Sequence, residues 1–550
     1  MKALRYARSL LPRRADYRLL KKSWRGDLLA GVTVGIVALP LALAFGVSSG
    51  AGAEAGLITA IVAGLVAAVF GGSNIQVSGP TGAMVVVLGP IVAVHGVGAV
   101  AIVSIMAGVV VLLAGAAKLG RVVSYIPWPV IEGFTLGIAV LIFLQQVPAA
   151  FGTHPGSSSN AFVAAVQSLD QVAWGTVVWP LLVVVVVAAL MIGIPRIHKQ
   201  LPASIIAIII VSVVAALCAL PLTDIGTLPS TLPAAQLPTI DMTVIQQLVG
   251  PALTVAALAA IESLLSARVA ASISDTGPYD ADRELVGQGL ASVASGLFGG
   301  MPATGAIART AVNLRSGGRT RLAAIIHSLV LLAVVYLATG VISQVPLAAL
   351  SGVLMVTAVR MVSLSTMRVV LGSSRSDAAV FVITAIVTVS VDLIVAVGIG
   401  IGVAAFFALR ALAKSGGVHR EELPGPAQPG DDHIALFRLD GALFFGAADR
   451  VLERVTSVAN VTVVILRMSQ LQVLDATGAR VVTEMTHALE RRGITVLIKG
   501  IRPSHLRVAT RVGVITSLRH ENHLFEDLPA AVEHARSHVA RELPTDARFG

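Results

Sequence analysis

The stretches Ser78-Gly79-Pro80-Thr81-Gly82-Ala83 and Met301-Pro302-Ala303-Thr304-Gly305-Ala306 say nearly the same thing, with their threonines 223 residues apart. Each interrupts an apolar run, and an apolar run comes after it. Proline has no N–H to lose and a fixed φ, so it suits a first helical turn, and threonine can cap one. Read this way, each motif starts a helix in mid-membrane, with free backbone N–H groups and a positive dipole end. Paired interrupted helices at corresponding places in two halves point to a transporter's binding site. Two helix N-termini facing one cavity favour an anion.

The rest of the composition agrees with a membrane setting. The chain has 550 residues, 55% hydrophobic and only 13% charged, where a soluble protein carries about a quarter charged residues. Several runs of about 20 apolar residues make it a polytopic helical membrane protein. The single cysteine, Cys218, excludes an intramolecular disulfide and argues against a cysteine metal site. A net charge of +10 would suggest nucleic acid in a soluble protein, but nine Lys/Arg fall between Lys2 and Arg25, just before the first apolar run. That is the positive-inside signature, and no nucleic-acid partner is expected. The same arm is too long and too basic for a cleavable signal peptide and lacks a small-residue cleavage site.

Spans are predicted at 27–46, 52–71, 78–93, 97–117, 126–147, 174–194 and 201–221, then at 250–268, 284–299, 304–315, 321–342, 346–362, 377–392 and 393–412. Charge tests this set independently. From Gly26 to Ala267 the only cations are Lys118, Arg121, Arg196 and Lys199, and with the N-terminus inside all four fall on the cytoplasmic side. The connections 148–173 and 222–249 hold no Lys or Arg and come out external. Seven spans per half is odd, so the second half is inverted relative to the first. The same offset carries the Gly31–Gly46 segment onto Thr254–Val269.

After Lys414 the composition changes. Residues 415–432 read as a linker, and the sequence beyond them alternates like a soluble α/β domain. Strands are predicted at 433–439, 443–445, 461–467 and 494–499, with helices at 447–458, 476–491 and near 503–513. Strands separated by helices imply a mainly parallel sheet with helical cover. An even span count puts this domain, like the N-terminus, in the cytoplasm. The domain boundaries are therefore 1–25 for a basic arm and 26–413 for the transmembrane domain, with repeats at 27–221 and 250–412. A linker at 414–432 and a soluble domain at 433–540 complete the chain.

With these residues in view, the chain resembles the SulP family of anion transporters, whose animal members include sulfate carriers and chloride–bicarbonate exchangers. The resemblance rests on Gly31-Val-Thr-Val-Gly35 through Ala38-Leu-Pro40-Leu-Ala42-Leu-Ala44, and on Gln76-Val-Ser-Gly-Pro80-Thr-Gly82. It is most specific in Arg283-Glu-Leu-Val-Gly287-Gln-Gly289 and Gly299-Gly-Met-Pro302-Ala-Thr-Gly305-Ala-Ile-Ala-Arg309-Thr-Ala-Val-Asn313. The soluble part resembles the STAS domain usual in that family. The resemblance implies fourteen spans in a seven-plus-seven inverted repeat, a core moving against a gate, and homodimers. It also implies an anion held between the third and tenth spans.

Substrate-binding candidates are Thr81, Gly82, Ala83, Thr304, Gly305, Ala306 and Arg309, with Phe45 and Gln76 added for their closeness to the first interrupted helix. Arg309 is the one cation placed well within a span, five residues into a half-helix starting at Thr304, where it would add fixed positive charge. Its competing reading is a structural pair with a carboxylate. Glu262 lies within the apolar stretch Pro251–Ala267, with Ser266 on the same helical face. A buried glutamate either ionises beside a cation or holds a proton, which is how a carrier could couple anion entry to H⁺. The resemblance puts Glu262 and Ser266 near a coupling-ion site that in some relatives takes Na⁺. The rival reading makes Glu262 a permanent partner of Arg309.

Glu132, Glu54, Glu284 and Asp377 sit near span ends and read as solvated interfacial residues. His95 and His327 read as interfacial or satisfied within the bundle, and no His/Asp/Glu cluster shows metal-ligand spacing. In the soluble domain, Asp475 and Thr477 stand where a strand passes into a helix. Small STAS proteins are phosphorylated at such a hydroxyl, and the plain reading is a helix start. The chain lacks a Walker A motif and a Gly-x-Gly-x-x-Gly fingerprint, so no ATP-driven step is supported. No nucleophile–base constellation is present either, so an enzyme is not expected.

These features describe a secondary active transporter of small anions, sulfate or a C4-dicarboxylate, in a plasma membrane. It would work by alternating access and proton symport, with no cofactor beyond H⁺ or Na⁺ as coupling ion. The alternatives are a sodium-coupled bicarbonate symporter, or an exchanger or channel on the same fold.

Overall fold

The structure is a computed structural model that describes all residues except 1–5, 7, 9, 122–125, 155, 157, 159, 199–200, 229, 239–241, 273, 392, 416, 444–454, 456, 458 and 543–550. It divides into two compact units, Met1–Ile401 and Gly402–Gly550.

The first unit is helical. Its first half contains α1 (Leu20–Ser48), α2 (Ala53–Phe70), β1 (Ser78–Gly79), α3 (Gly82–His95), α4 (Gly98–Ala116), α5 (Trp128–Gln145), α6 (Val178–Ile197) and α7 (Ala203–Leu217). The second half contains α8 (Met242–Ser272), α9 (Ala281–Leu297), β2 (Thr304–Gly305), α10 (Ile307–Arg315), α11 (Arg321–Ile342), α12 (Leu347–Met361), α13 (Arg375–Ser390) and α14 (Leu393–Ser415, within which the unit boundary falls). These fourteen helices correspond to the fourteen expected spans. Among the described residues nine helical stretches are long and apolar enough to cross a membrane, while α3 is shorter and α10 has only nine residues. Short helices at Val147–Ala150, Ala161–Leu169 and Leu364–Ser373 are additions that the sequence did not suggest.

Small residues let these helices approach closely. Helices α4 and α9 meet backbone to backbone at Gly108 and Gly289, where a Cβ on either would lie within 2.7 Å of the other's carbonyl oxygen. Without a hydrophobic force between helices in lipid, such close approach supplies the packing. Buried acids tie the ends. Asp27 on α1 is fully buried and accepts from the Arg319 and Thr320 N–H groups (2.7 and 2.9 Å) and the Thr320 hydroxyl (2.7 Å), which caps α11.

Two expectations need correction here. The basic arm does not run free to residue 25, because α1 starts at Leu20 and Asp16 forms a two-pronged pair with the buried Arg283 (2.7 and 3.1 Å). Burial alone would raise the Asp16 carboxyl, but the Arg283 hydrogen bond and the Arg13 N–H outweigh it and hold it below the usual range. Glu284 is not interfacial. It is buried and accepts from the Gly72 and Ser73 N–H groups (2.7 and 3.0 Å) and the Gln288 amide (2.8 Å). His327 is fully buried in α11 and is not interfacial.

The second unit is an α/β sandwich. Its elements are β3 (Gly417–Glu421), β4 (Ile434–Leu443), β5 (Val463–Arg467), β6 (Leu471–Leu474), α15 (Ala476–Glu490), β7 (Thr495–Lys499), α16 (Pro503–Val512), β8 (Leu524–Phe525) and α17 (Leu528–Glu542). The sheet runs β3-β4-β5-β7-β8, antiparallel only at β3–β4, with β6 parallel to the end of β4. Alternate β4 residues serve different cores. Ala435 and Phe437 pack in the larger cluster, and Ile434 and Leu436 pack with Ala531, Val532 and Ala535 of α17. A sheet covered on both faces reads as a continuous apolar run.

The expected linker is partly wrong, since its residues 417–421 form edge strand β3. The separate strands at 433–439 and 443–445 are one strand through Leu443, with a register shift at Gly441/Ala442. The predicted helix at 447–458 lies outside the described residues. The expectation of no metal-ligand cluster also fails. His523, beside β8, meets His534 and His538 of α17 with ligand nitrogens all within 4.8 Å. Their separation in sequence hid this, because a strand and a helix start intervene.

Candidate anion and coupling-ion site

The two repeated motifs meet in space. Neither begins a helix directly: β1 pairs antiparallel with β2, Ser78 opposite Gly305 and Gly79 opposite Thr304, and the helices α3 and α10 start just after. An antiparallel match is what an inverted repeat produces where its halves touch. Extended backbone at membrane depth must be satisfied by protein, and the neighbours do so. Thr310 Oγ1 accepts from Val77 N–H (3.0 Å), Asn313 donates to Ile75 carbonyl (2.7 Å), and Gln288 donates to the Ser78 hydroxyl (2.6 Å). On the other side Thr59 Oγ1 accepts from Met301 N–H (2.7 Å), at a π-helical turn, Thr59–Ala63, within α2.

At the crossing the repeated threonines converge on one acid. The hydroxyls of Thr81 and Thr304 both donate to Glu262 Oε2, at 2.8 and 2.9 Å, and lie 3.1 Å from each other. Thr81 therefore precedes α3 in an extended conformation without capping it, since its side chain is turned to the carboxylate. Thr304 is fully buried, Thr81 nearly so, and Glu262 is half-buried.

Arg309 follows the strand pair, with its guanidinium against Gly79 and Pro80. It is the third residue of α10, not the sixth of a helix from Thr304, because β2 and Ala306 come first. Its side chain is 2% exposed; Nη2 donates to the Pro80 carbonyl, and Nη1 is buried with no partner. Arg309 is within electrostatic reach of Glu262 and of His327, yet among the described residues it forms no ion pair with a carboxylate. The rival reading of a fixed Glu262–Arg309 partnership therefore has no direct contact behind it.

The other candidates divide. Phe45 is buried against the start of α3, with its ring 3.5 Å from where a Cβ on Gly82 would lie. The first N–H groups of α3, from Gly82 and Ala83 onward, have no intrahelical acceptor by the rule of helix ends. Two donors expected free are engaged: Gly305 N–H bonds Ser263 Oγ (3.1 Å) and Ala306 N–H bonds the Val77 carbonyl (2.9 Å). Gln76 packs against Gly305, where a side chain would collide with its amide, and donates weakly to the Ser263 carbonyl (3.4 Å). Ser266 is buried with its hydroxyl unpartnered and does not reach the clasp. Sequence reasoning passed over Ser263, Thr59, Gln288 and Asn313, which hold the crossing together. Gln288 and Asn313 lie in the motifs that carry the resemblance, and Thr59 and Ser263 were marked only by their polarity within apolar runs.

Residues 24–384 match the sulfate permease family, and residues 426–531 match the STAS domain. The chain belongs to the sulfate permease family. It is an anion transporter with a C-terminal STAS domain, not an enzyme. The chain is 33% identical to the provisionally named sulfate transporter YvdB of Bacillus subtilis (strain 168), over 93% of this chain and 97% of that one. It is 30% identical to the bicarbonate transporter BicA of Picosynechococcus, over 78% and 80%. The solved transmembrane domain of a cyanobacterial BicA matches with a TM-score of 0.62 at 34% identity, covering 70% of this chain and 98% of that one. Murine Slc26a9 in its inward-facing state shares the fold, with a TM-score of 0.82 at 17% identity over 97% and 95%.

In the STAS domain the two flagged residues part company. Asp475 caps α15, accepting from Gly478 N–H at 2.7 Å, which accounts for it structurally. Thr477, in the first turn, is exposed.

Proposed function

We propose that this permease is a secondary active carrier of small anions, working by alternating access, which couples uptake to protons at Glu262. The observation that carries the reading is the clasp of the Glu262 carboxylate by two hydroxyls from opposite repeats. A hydroxyl can donate to an ionised carboxylate or accept from a protonated one, so the clasp tolerates either charge state. The cation nearby, Arg309, has a buried nitrogen without a partner, and an anion would supply one. An anion drawn to Arg309 offsets the charge that otherwise favours ionised Glu262, so anion and proton would enter together. Gly82 and Ala83 at the positive end of α3 would complete the anion's contacts, with Phe45 and Gln76 shaping the space.

The favoured cargo is sulfate or a C4-dicarboxylate, in line with the sulfate-named relatives. The bicarbonate-named relatives support the second reading, sodium-coupled bicarbonate symport, in which the oxygens of Glu262, Thr81 and Thr304 would face Na⁺. The charge distribution supports a plasma-membrane orientation with both termini cytoplasmic, and the family resemblance supports a homodimer. Uptake of labelled sulfate, succinate and bicarbonate into proteoliposomes, under an imposed pH or sodium gradient, tests the proposal. Accumulation should follow the inward proton gradient and be lost in Glu262→Gln, while anion exchange persists. Wild-type accumulation that follows sodium alone would make Glu262 a sodium ligand, and indifference to both gradients would make the protein an exchanger or channel.

A further inference from the structure

The STAS domain gathers three histidines of its own. His534 and His538 are one turn apart on α17, with their Nε2 atoms 3.2 Å from each other. His523, at the start of β8, presents a third ring, its centroid 5.5 Å from that of His534 and 5.4 Å from that of His538. One ligand nitrogen from each lies within 4.8 Å of the other two. We propose that these three side chains form a binding site for a zinc-class divalent transition metal ion, which fastens α17 to the β7–β8 edge of the sheet.

Chemistry and geometry agree on this assignment. Imidazole nitrogens suit zinc, nickel, cobalt and copper, and the absence of carboxylate oxygen from the trio disfavours calcium and magnesium. Two ligands about 2.0–2.1 Å from one tetrahedral ion stand about 3.3 Å apart, close to the 3.2 Å between His534 and His538. The i, i+4 pair on a helix is a recurrent half-site. His523 is 2% exposed and its Nδ1 is buried without a partner. The Phe525 ring, 5.3 Å from that of His534, walls one side of the site. Three protein ligands leave a fourth position for water.

The location gives the ion something to do. Strand β8 contributes only two residues to the sheet, and α17 covers the face carrying Ile434, Leu436 and Leu497. A metal bridge would join the two elements that close this edge. The test uses the full-length permease in nanodiscs, with a purification tag free of histidine. Equilibrated with Zn²⁺ at pH 7.5 and freed of excess, the wild type should retain one equivalent per chain, and H534A/H538A less than a tenth of that. Co²⁺ should give the intense visible bands of a low-coordinate nitrogen site in the wild type, and they should vanish in His538→Gln, which keeps most of the side-chain volume. His487→Ala, elsewhere in the domain, should bind as the wild type does. Zinc should also raise the unfolding temperature of the wild type by several degrees and leave that of H534A/H538A unmoved. Equal zinc retention by the wild type and H534A/H538A, or no retention by the wild type, would overturn the proposal.

Discussion

Two glutamates of the transmembrane domain are handled in opposite ways. Glu284 is fully buried; its Oε2 accepts from two backbone N–H groups, which can only donate, and its Oε1 accepts from the Gln288 amide nitrogen. Such a cage demands an acceptor at all times, and it anchors the turn after α2 to α9. Glu262 is half-buried, and its partners are hydroxyls, which reverse their role when a proton arrives. The lesson is that burial alone does not mark a coupling residue. On the proposed reading, what fits Glu262 for coupling is a set of partners able to serve both of its charge states.

The comparison can be broken most severely at Arg309, the cation beside the variable site. Arg309→Ala should lower transport by about 100-fold, the order of one lost charge-assisted contact worth roughly 3 kcal/mol. Arg309→Lys should keep a part of the activity, since charge outweighs fork geometry for a small anion. Initial rates in proteoliposomes at matched protein density check both. Normal transport by folded Arg309→Ala would leave its unpaired nitrogen without a role.

The stability contrast comes next. Glu284→Gln replaces the carboxylate that accepts from two backbone N–H groups with a neutral, weaker acceptor and should cost about 1–3 kcal/mol, seen as a lower unfolding temperature in detergent. Glu262→Gln leaves hydroxyl partners that adapt and should unfold close to the wild type. Equal losses in the two variants would erase the distinction between anchor and switch.

The smallest effects belong to the clasp itself. Thr81→Val and Thr304→Val each remove one hydroxyl and should raise KM about fivefold, the equivalent of about 1 kcal/mol. The two changes should be similar, since the hydroxyls approach the same oxygen at 2.8 and 2.9 Å. Thr→Ser at either position should restore near-normal values. A large effect at one threonine alone would deny that the repeats share the carboxylate.

Much of this was legible in the sequence. The spans could be read from apolar runs, and Arg309 apart, the lysines and arginines of the transmembrane domain fall where cytoplasmic loops are expected. Thr81 and Thr304 stood out because their motifs repeat, and Glu262 because an acid within an apolar helix is expensive. The β1–β2 pairing was not legible, since two residues matched across the whole first repeat leave no periodic signal. Missing it placed Arg309 too deep in its helix and counted Gly305 and Ala306 as free donors. Glu284 was misread because a span-end acid looks alike whether it meets water or a neighbouring turn. The histidine cluster was hidden for the same reason: only the folded edge of the STAS sheet brings His523 to α17.

The central claim is that Glu262 changes charge when an anion binds. The direct measurement is proton uptake per anion bound near neutral pH, from titration calorimetry of the permease in buffers of differing ionisation enthalpy. The wild type and Glu284→Gln should take up close to one proton per anion, and Glu262→Gln none. Proton uptake that persists unchanged in Glu262→Gln, or is absent from the wild type, would contradict the account.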